Sequence, residues 1–540
     1  MAQNAVFGIN SNLDTQDIIN KMVSLEARSM DLVEAKKQIE QQKLSSFQEL
    51  KNKLQTFKSV VTTLNTESRF IVNKSNFSNH SSSDSNKVVD ITTTSSATSG
   101  TYSLVVNNLA TETKLISSGF ASTTSALQHG KVKVTSGTAS ATITIDSTNH
   151  SLDGLRLAIN NLGLDVKAAF LNDGSATNPV RLLVSGNKTG TSGAVTISQQ
   201  YHWGFTGEEQ ISFATTQTAK NASFTVDGVS IIKSTNTITD VLNGAALQLQ
   251  SAGSGTISLS TDTNAITTKV SDFVDEYNEL SLFIREQLAL DSESEETGVL
   301  FGNFAVQNLQ QILRSSISSK VTGVSGNYSY LSQIGITTQS DGTLVLDTDD
   351  LSDALVDDIQ NVSQLFSSKG STTNSSVAFV GFTRDTQPGS YDVKRLDGNT
   401  QLSNSGASTF VNASGSGNFW AGSSGDSTGL NFRLGNLYNG DYGKITLSIG
   451  VAEILNRQLE NMVDSSLRGP LVTELDTIKE TVDDYNITLL SQAERLLEFE
   501  ESLKARFSNL EIVLGRLNAQ KDTFNSSLQG IQNIFSAKKY

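Results

Sequence analysis

The sequence predicts an α+β multidomain chain in which helices from both termini form an elongated, coiled-coil-like leg, with antiparallel β-rich head domains inserted between them. Three observations carry this reading. Both ends space their apolar residues at an average near 3.5, the middle alternates apolar with polar residues at period 2, and 540 residues are too many for one core. At about 150 residues per domain, roughly three to four domains are expected.

The C-terminal ladder reads Ile478, Val482, Tyr485, Leu489, Leu496, Phe499, Leu503, Leu510, Val513, Leu517, Phe524 and Ile531, with Gln492, Arg506, Gln520 and Ser527 as its polar steps. Such spacing keeps one seam facing a partner along a supercoiled helix, and the polar steps can fix register or partner number. Pro470 after Gly469 suits a first helical turn. A helix from about Leu471 to Phe535 is expected, ~95 Å long at ~1.5 Å per residue.

At the other end, Ile18, Met22, Leu25, Leu32 and Ile39 form one frame and Phe47, Leu50, Leu54, Phe57, Val61 and Leu64 a second. The step through Lys43 is a stutter that would locally unwind a supercoil and divide an outer part of the helix from a bundle-forming part. Asp14 and Asp17 favour a helix start. The seam, with possible subunit contacts, is assigned to Leu25, Leu32, Ile39, Phe47, Leu50, Leu54, Leu489, Leu496, Phe499, Leu503, Leu510, Leu517 and Phe524. These ladders suit either a bundle within one subunit or a coiled coil between subunits.

A third amphipathic segment, Ile266, Val270, Phe273, Tyr277, Leu280, Ile284 and Leu288, can pack on the same bundle, as can the apolar faces of 300–317 and 351–366. Between those two, Asp341-Gly342 punctuates a hairpin over 336–346.

In the middle, 81–100 reads as an extended linker or edge, and strands are expected around Val132, Ile143, Leu182, Phe224, Val229, Ile257 and Ile445. Asp227-Gly228 is a hairpin signal. Leu152, Leu155, Ile159 and Leu162 give one short helix lying on a sheet. Gly100-Thr101-Tyr102-Ser103-Leu104 is loosely repeated as Gly389-Ser390-Tyr391-Asp392-Val393, which suggests a module of related build over 371–450. The expected domains are a leg of 18–70, 264–370 and 451–531, a β-rich head of 71–119 and 205–263, a second head of 120–204, and the inserted module 371–450.

Chemistry is sparse. The absence of cysteine excludes disulfides, thiolate metal sites and thiol nucleophiles, and the four histidines show no zinc-peptidase spacing. Gly186-Asn187-Lys188-Thr189 lacks the glycine a phosphate cradle needs and reads as a turn. Asp349-Asp350 and Asp357-Asp358 read as solvated helix face rather than a calcium loop. Tyr201-His202-Trp203 and Trp420 are loop aromatics that could contact a ligand. A net charge of −15 disfavours nucleic acid, and neither a membrane span nor a cleaved signal is expected. No enzymatic activity and no cofactor is expected.

The opening Gly8-Ile9-Asn10-Ser11-Asn12-Leu13-Asp14-Thr15, with Ile18-Ile19 and Glu26, resembles the start of the flagellar filament-capping proteins, the hook-associated protein 2 family, with Asn12 in place of the usual glycine. The likeness continues through Gly100-Thr101-Tyr102, Asn108-Leu109-Ala110, Phe224-Thr225-Val226-Asp227-Gly228 and Asn236-Thr237-Ile238. It runs on through Asp240-Val241, Phe273-Val274-Asp275-Glu276-Tyr277-Asn278, Gly335-Ile336, Gly342-Thr343-Leu344, Arg506-Phe507 and Leu517-Asn518-Ala519-Gln520. Residues 152–169 also resemble a small module of flagellins, while 371–450 departs from the shortest family members.

The resemblance implies a non-enzymatic cap at the distal tip of the bacterial flagellum, extracellular and exported without a cleaved signal peptide. It would retain exported flagellin, promote its folding and polymerisation, and so be required for filament elongation and motility. Implied partners are further copies in a ring-shaped homo-oligomer, a pentamer, together with flagellin, the hook-associated junction subunits, and the export machinery and its chaperone. By position, 1–17 and 532–540 match flexible family ends. Two rival readings are a flagellin-like filament subunit and a tip adhesin for host glycans.

Overall fold

The computed structural model describes residues 14–80, 86–202, 207–290, 297–324, 326–464, 466 and 469–537. Their helices are α1 (Thr15–Thr62), α2 (Glu67–Phe70), α3 (Leu152–Asn160), α4 (Thr263–Gln287), α5 (Phe304–Ser318), α6 (Thr348–Phe366), α7 (Val451–Val463) and α8 (Pro470–Ala537). The chain falls into two compact units, one holding residues up to Asn65, Ser271–Leu351 and Gly370 onward, the other Thr66–Val270 and Ser352–Lys369.

In the first unit, α1 starts where Asp14 accepts a hydrogen bond from the Asp17 amide at 2.9 Å, leaving two acids at the positive end of the helix dipole. It then runs unbroken through Lys43, and its run of fully buried apolar residues begins at Phe47, so an outer part and a bundle-forming part share one continuous helix. Its inner half buries Phe47, Leu50, Leu54, Phe57 and Val61, and Leu64 just past its end is buried as well. The Phe57 ring lies 5.6 Å from Phe273 and 6.0 Å from Tyr277 of α4. The 68-residue α8 packs along α1, burying Leu471, Leu475, Ile478 and Val482, and α7 adds Leu455 and Leu459. Isolated helices are marginal in water, so each of these long helices owes its stability to the stripe it buries. Gly469 is required before Pro470 because a Cβ there would sit 2.5 Å from the Asn461 carbonyl oxygen.

The expected hairpin is present as strands Ile336–Thr338 and Leu344–Leu346. Asn278 of α4 holds it with both ends of its amide, donating to the Leu344 carbonyl at 2.9 Å and accepting from the Leu344 amide at 2.7 Å.

The module over 371–450 is an eight-stranded antiparallel sheet in the order Ser368–Thr372, Gly440–Ile449, Gly389–Leu396, Asn399–Asn404, Val411–Ser416, Phe419–Gly422, Asn431–Leu434 and Val377–Gly381. The first and last strands in this order are consecutive in sequence, joined by the turn at 373–376. The sheet therefore curls so that its two end strands approach, Gly370 lying against the Phe379 ring, and it encloses Tyr391, Val393, Leu402, Phe432, Ile445 and Leu447.

The second unit holds two β modules. One pairs a five-stranded sheet (Asn73–Asn79, Gly253–Thr261, Gly100–Asn108, Ala222–Val226, Val229–Lys233) with a three-stranded one (Thr237–Leu242, Ala245–Leu249, Val89–Thr93). Val88 and Val89 enter its core, so 81–100 is more than a linker, although Val89–Thr93 is indeed an edge strand. The other module joins a four-stranded sheet (Phe213–Gln217, Lys114–Ser117, Val180–Gly186, Val166–Asn172) to a three-stranded one (Ala139–Ile145, Gly130–Ser136, Val195–Tyr201) and to α3. Lys114–Ser117 and Phe213–Gln217 thus belong with the second head rather than the first. The order of strands in the 371–450 module matches neither of these. In the same unit α6 is interrupted at Asp358 (φ −151°), whose carboxylate accepts from the Asn361 amide and restarts the helix. Of the terminal segments, Asp14 caps α1, Thr15–Asp17 and Gln532–Ala537 are helical, and the rest lie outside the described residues.

Burial pushes the Tyr277 phenol up from its ordinary value of 10.0 to about 12. A raised acid is neutral in the folded state while its unfolded counterpart ionises, so this contribution is intact below about pH 10 and is lost as pH rises towards 12. Tyr277→Phe is expected to lose less stability than the parent between these pH values in urea unfolding.

Candidate functional site: the faces of the helical leg

The outer half of α1 shows how the leg divides into a seam and a surface. Thr15 and Ile19 are fully buried, and the half-buried positions continue through Val23, Ala27, Met30, Val33, Lys37, Glu40 and Leu44 to Phe47. This is one unbroken face. Its middle is carried by the aliphatic stems of Lys37 and Glu40, whose heads pair with Glu34 at 2.9 Å and Lys43 at 2.8 Å. On α8 the matching face runs through Tyr485, Leu489, Leu496 and Phe499 to the buried Leu503. An exposed ion pair of 3.4 Å between Glu26 and Arg495 marks the level at which the two antiparallel helices pass each other.

The thirteen residues assigned to the seam therefore separate. Phe47, Leu50, Leu54 and Leu503 are buried, and Leu489, Leu496 and Phe499 are half-buried. Leu25, Leu32 and Ile39 lie on the opposite side of α1 from the seam and are exposed. Leu510, Leu517 and Phe524 are also exposed, on the part of α8 that extends beyond the level of Asp14. Sequence reading passed over Ile19, Val23, Met30 and Val33, because Lys37 and Glu40 interrupt their frame while Leu25, Leu32 and Ile39 stand out at intervals of seven. It also passed over the exposed Ile487, Leu490 and Leu497 on α8.

Other polar side chains in the first unit act as joints. Arg457 of α7 donates from Nη1 to the carbonyls of Arg384 at 2.9 Å and Thr386 at 3.1 Å, and its Nε meets Glu453 at 3.0 Å. Glu453 in turn accepts from Asn65 at 3.0 Å. The 371–450 module is thereby tied to α7 and to the end of α1. On that module a cavity of about 830 Å³ is lined by Lys394, Arg395, Phe410, Asn439 and Asp441, with the Lys394 ammonium 3.5 Å from the centre of the Phe410 ring.

The remaining candidates resolve locally. Lys188 pairs with Asp165 at 2.7 Å in a turn. The Tyr201 hydroxyl donates to the Ile211 carbonyl. Trp203 lies outside the described residues, and the Trp420 indole donates to Gly417 at 3.0 Å. Among the described residues no group of three or more His, Asp or Glu side chains is placed to hold a metal ion, and no helix is long and apolar enough to cross a membrane.

Fold and surface together define an α+β multidomain protein whose terminal helices close into one bundle and expose apolar helix faces. Residues 11–113 match the family described as flagellar hook-associated protein 2 N-terminus, and residues 219–519 the corresponding C-terminus. The chain is 30% identical over 389 residues to the B-type flagellar hook-associated protein 2 of Pseudomonas aeruginosa, covering 66% of this chain and 79% of that one. It is 31% identical over 395 residues to the flagellar hook-associated protein 2 of Escherichia coli K12, covering 69% and 82%. A crystal structure of the flagellar cap protein FliD D1-D2-D3 domains from Escherichia coli is similar at a TM-score of 0.50 and 31% identity, covering 59% of this chain and 89% of that chain. The chain belongs to the flagellar hook-associated protein 2 family.

If the seam runs as described, Leu54→Ala should cost ~2–5 kcal/mol. Leu25→Ala, on the exposed side, should stay within ~0.5 kcal/mol. Urea unfolding of both variants at a concentration low enough to keep the chain monomeric checks the contrast; equal costs would contradict this assignment.

Proposed function

We propose that this protein is a non-enzymatic cap at the distal tip of the flagellar filament, where it retains exported flagellin and promotes its folding and polymerisation. On this reading the chain is extracellular, leaves the cell without a cleaved signal peptide, and acts as a ring-shaped homo-oligomer, a pentamer. Flagellin, the hook-associated junction subunits, and the export machinery with its chaperone are its partners. Membership in a family whose relatives are named flagellar cap and hook-associated proteins supports the location. The observation that carries the mechanism is the outer part of α8, where Leu510, Val513, Leu517, Phe524 and Ile531 are exposed at coiled-coil spacing. A helix that keeps its apolar ladder in solvent is built to dock on other helices, and the end of a helical filament supplies them.

Capping also needs contacts that let go. Ring contacts through the β modules would accordingly be modest and polar. A flagellin-like filament subunit would share the terminal helices but would assemble without a limit on length.

Leu510→Asp separates docking from folding. Leu510 is 43% exposed, so the variant should unfold like the parent, yet cells carrying it should swim poorly and release flagellin into the medium. Leu503→Asp, at a buried position, should instead destabilise the leg itself. Normal swimming with Leu510→Asp would remove the support for this reading.

The groove beside Lys394 and Phe410 favours a second role in binding host glycans, since the hydrogen-bonding side chains of Lys394, Arg395, Asn439 and Asp441 line it together with Phe410. Mucin binding by the full chain should drop on Phe410→Ala if so, and binding unchanged by that variant would count against it.

A further inference from the structure

We propose that neighbouring copies pack leg against leg, the outward stripe of α1 in one copy seating on the outward stripe of α8 in the next. The two stripes differ, as a head-to-tail contact requires. On α1 the stripe reads Lys21, Leu25, Arg28, Leu32, and on α8, taken in the opposite direction, Glu501, Leu497, Glu494, Leu490. Both step by four, three and four residues. In an antiparallel pairing leucine meets leucine in two layers, and each intervening layer sets a base against an acid.

The four leucines are 62–68% exposed, well beyond what a buried face would show, and Ile487, 64% exposed, extends the α8 stripe by one more turn opposite Ala35. Arg28, Glu494 and Glu501 are exposed as well. Lys21 pairs with Asp17 at 2.7 Å within the chain, but with side chains 76% and 52% exposed that pair is weak and can exchange for Glu501.

The register carries a second, independent consequence. Within one chain the Glu26–Arg495 contact marks the level of α8 against α1. Moving two residues along each helix brings Arg28 level with Ala493 of its own chain. The pairing between copies brings Arg28 to Glu494, one residue away, or ~1.5 Å along the axis. Neighbouring legs therefore stand at the same height. Side-by-side copies without an axial step can close into a ring, whereas a stepped contact would climb into a helix. This inference rests on the proposed function only in taking the neighbour to be a second copy.

The chain has no cysteine, so site-directed cross-linking is clean. Full-length Leu32→Cys and Leu490→Cys proteins, mixed and oxidised, should give a disulfide-linked dimer, and neither should do so alone. Arg28→Glu should weaken association by up to ~5-fold and Glu494→Arg should restore it in the double variant. If the mixture stays uncross-linked while light scattering shows an oligomer, the assembly is held by the β modules; the capping role then stands and leg-to-leg packing is overturned. Cross-linking of Leu32→Cys with itself would also overturn it. A chain that remains monomeric at every concentration would overturn both.

Discussion

The antiparallel closure of α1 on α8 is the constraint on which the rest of the first unit depends. Both helices are long, neither can hold its apolar stripe in water alone, and one lies at each end of the described chain. Every module inserted between them must therefore leave and re-enter a bundle that is complete only when the last helix is in place. α4 packs on Phe57, α7 packs on α1 and α5 on α7, and the Arg457–Glu453–Asn65 chain of contacts ties the curled 371–450 sheet to the bundle.

That closure also explains why a leg can present two surfaces at once. A helix pair with one seam buries about half of each cylinder and leaves the other half to solvent. Here the outward half is not uniformly polar: α1 exposes Leu25, Leu32 and Ile39 at intervals of seven, and α8 exposes leucines interleaved with glutamates. The outer reach of α8 and the side stripes are therefore separate apolar surfaces on one leg.

Much of this was legible in the residues. The frame Phe47 to Leu64, the α4 ladder, the Asp341-Gly342 and Asp227-Gly228 turns and the start of α8 all follow from local patterning. The resemblance motifs turn out to be joints. Asn278 clamps a hairpin, Asn236 grips both backbone groups of Ala110 at 2.7 and 2.9 Å, and Asp227 holds the Ser103 amide at 2.7 Å. The outer α1 seam was hidden because burial by aliphatic stems does not register as apolar, so Lys37 and Glu40 masked a face that an exposed heptad imitated. The assignment of Lys114–Ser117 and Phe213–Gln217 to the second head was hidden too, since which strand pairs with which is set by tertiary packing and not by alternation.

The most direct test of the central claim is hydrogen exchange on the full-length protein and on a version shortened after Gly469. The account predicts that the amides of Thr15–Thr62 are protected together with those of α8 up to Leu503, and that removing α8 exposes the outer half of α1 to rapid exchange. Protection of that half of α1 unchanged by the loss of α8 would contradict it.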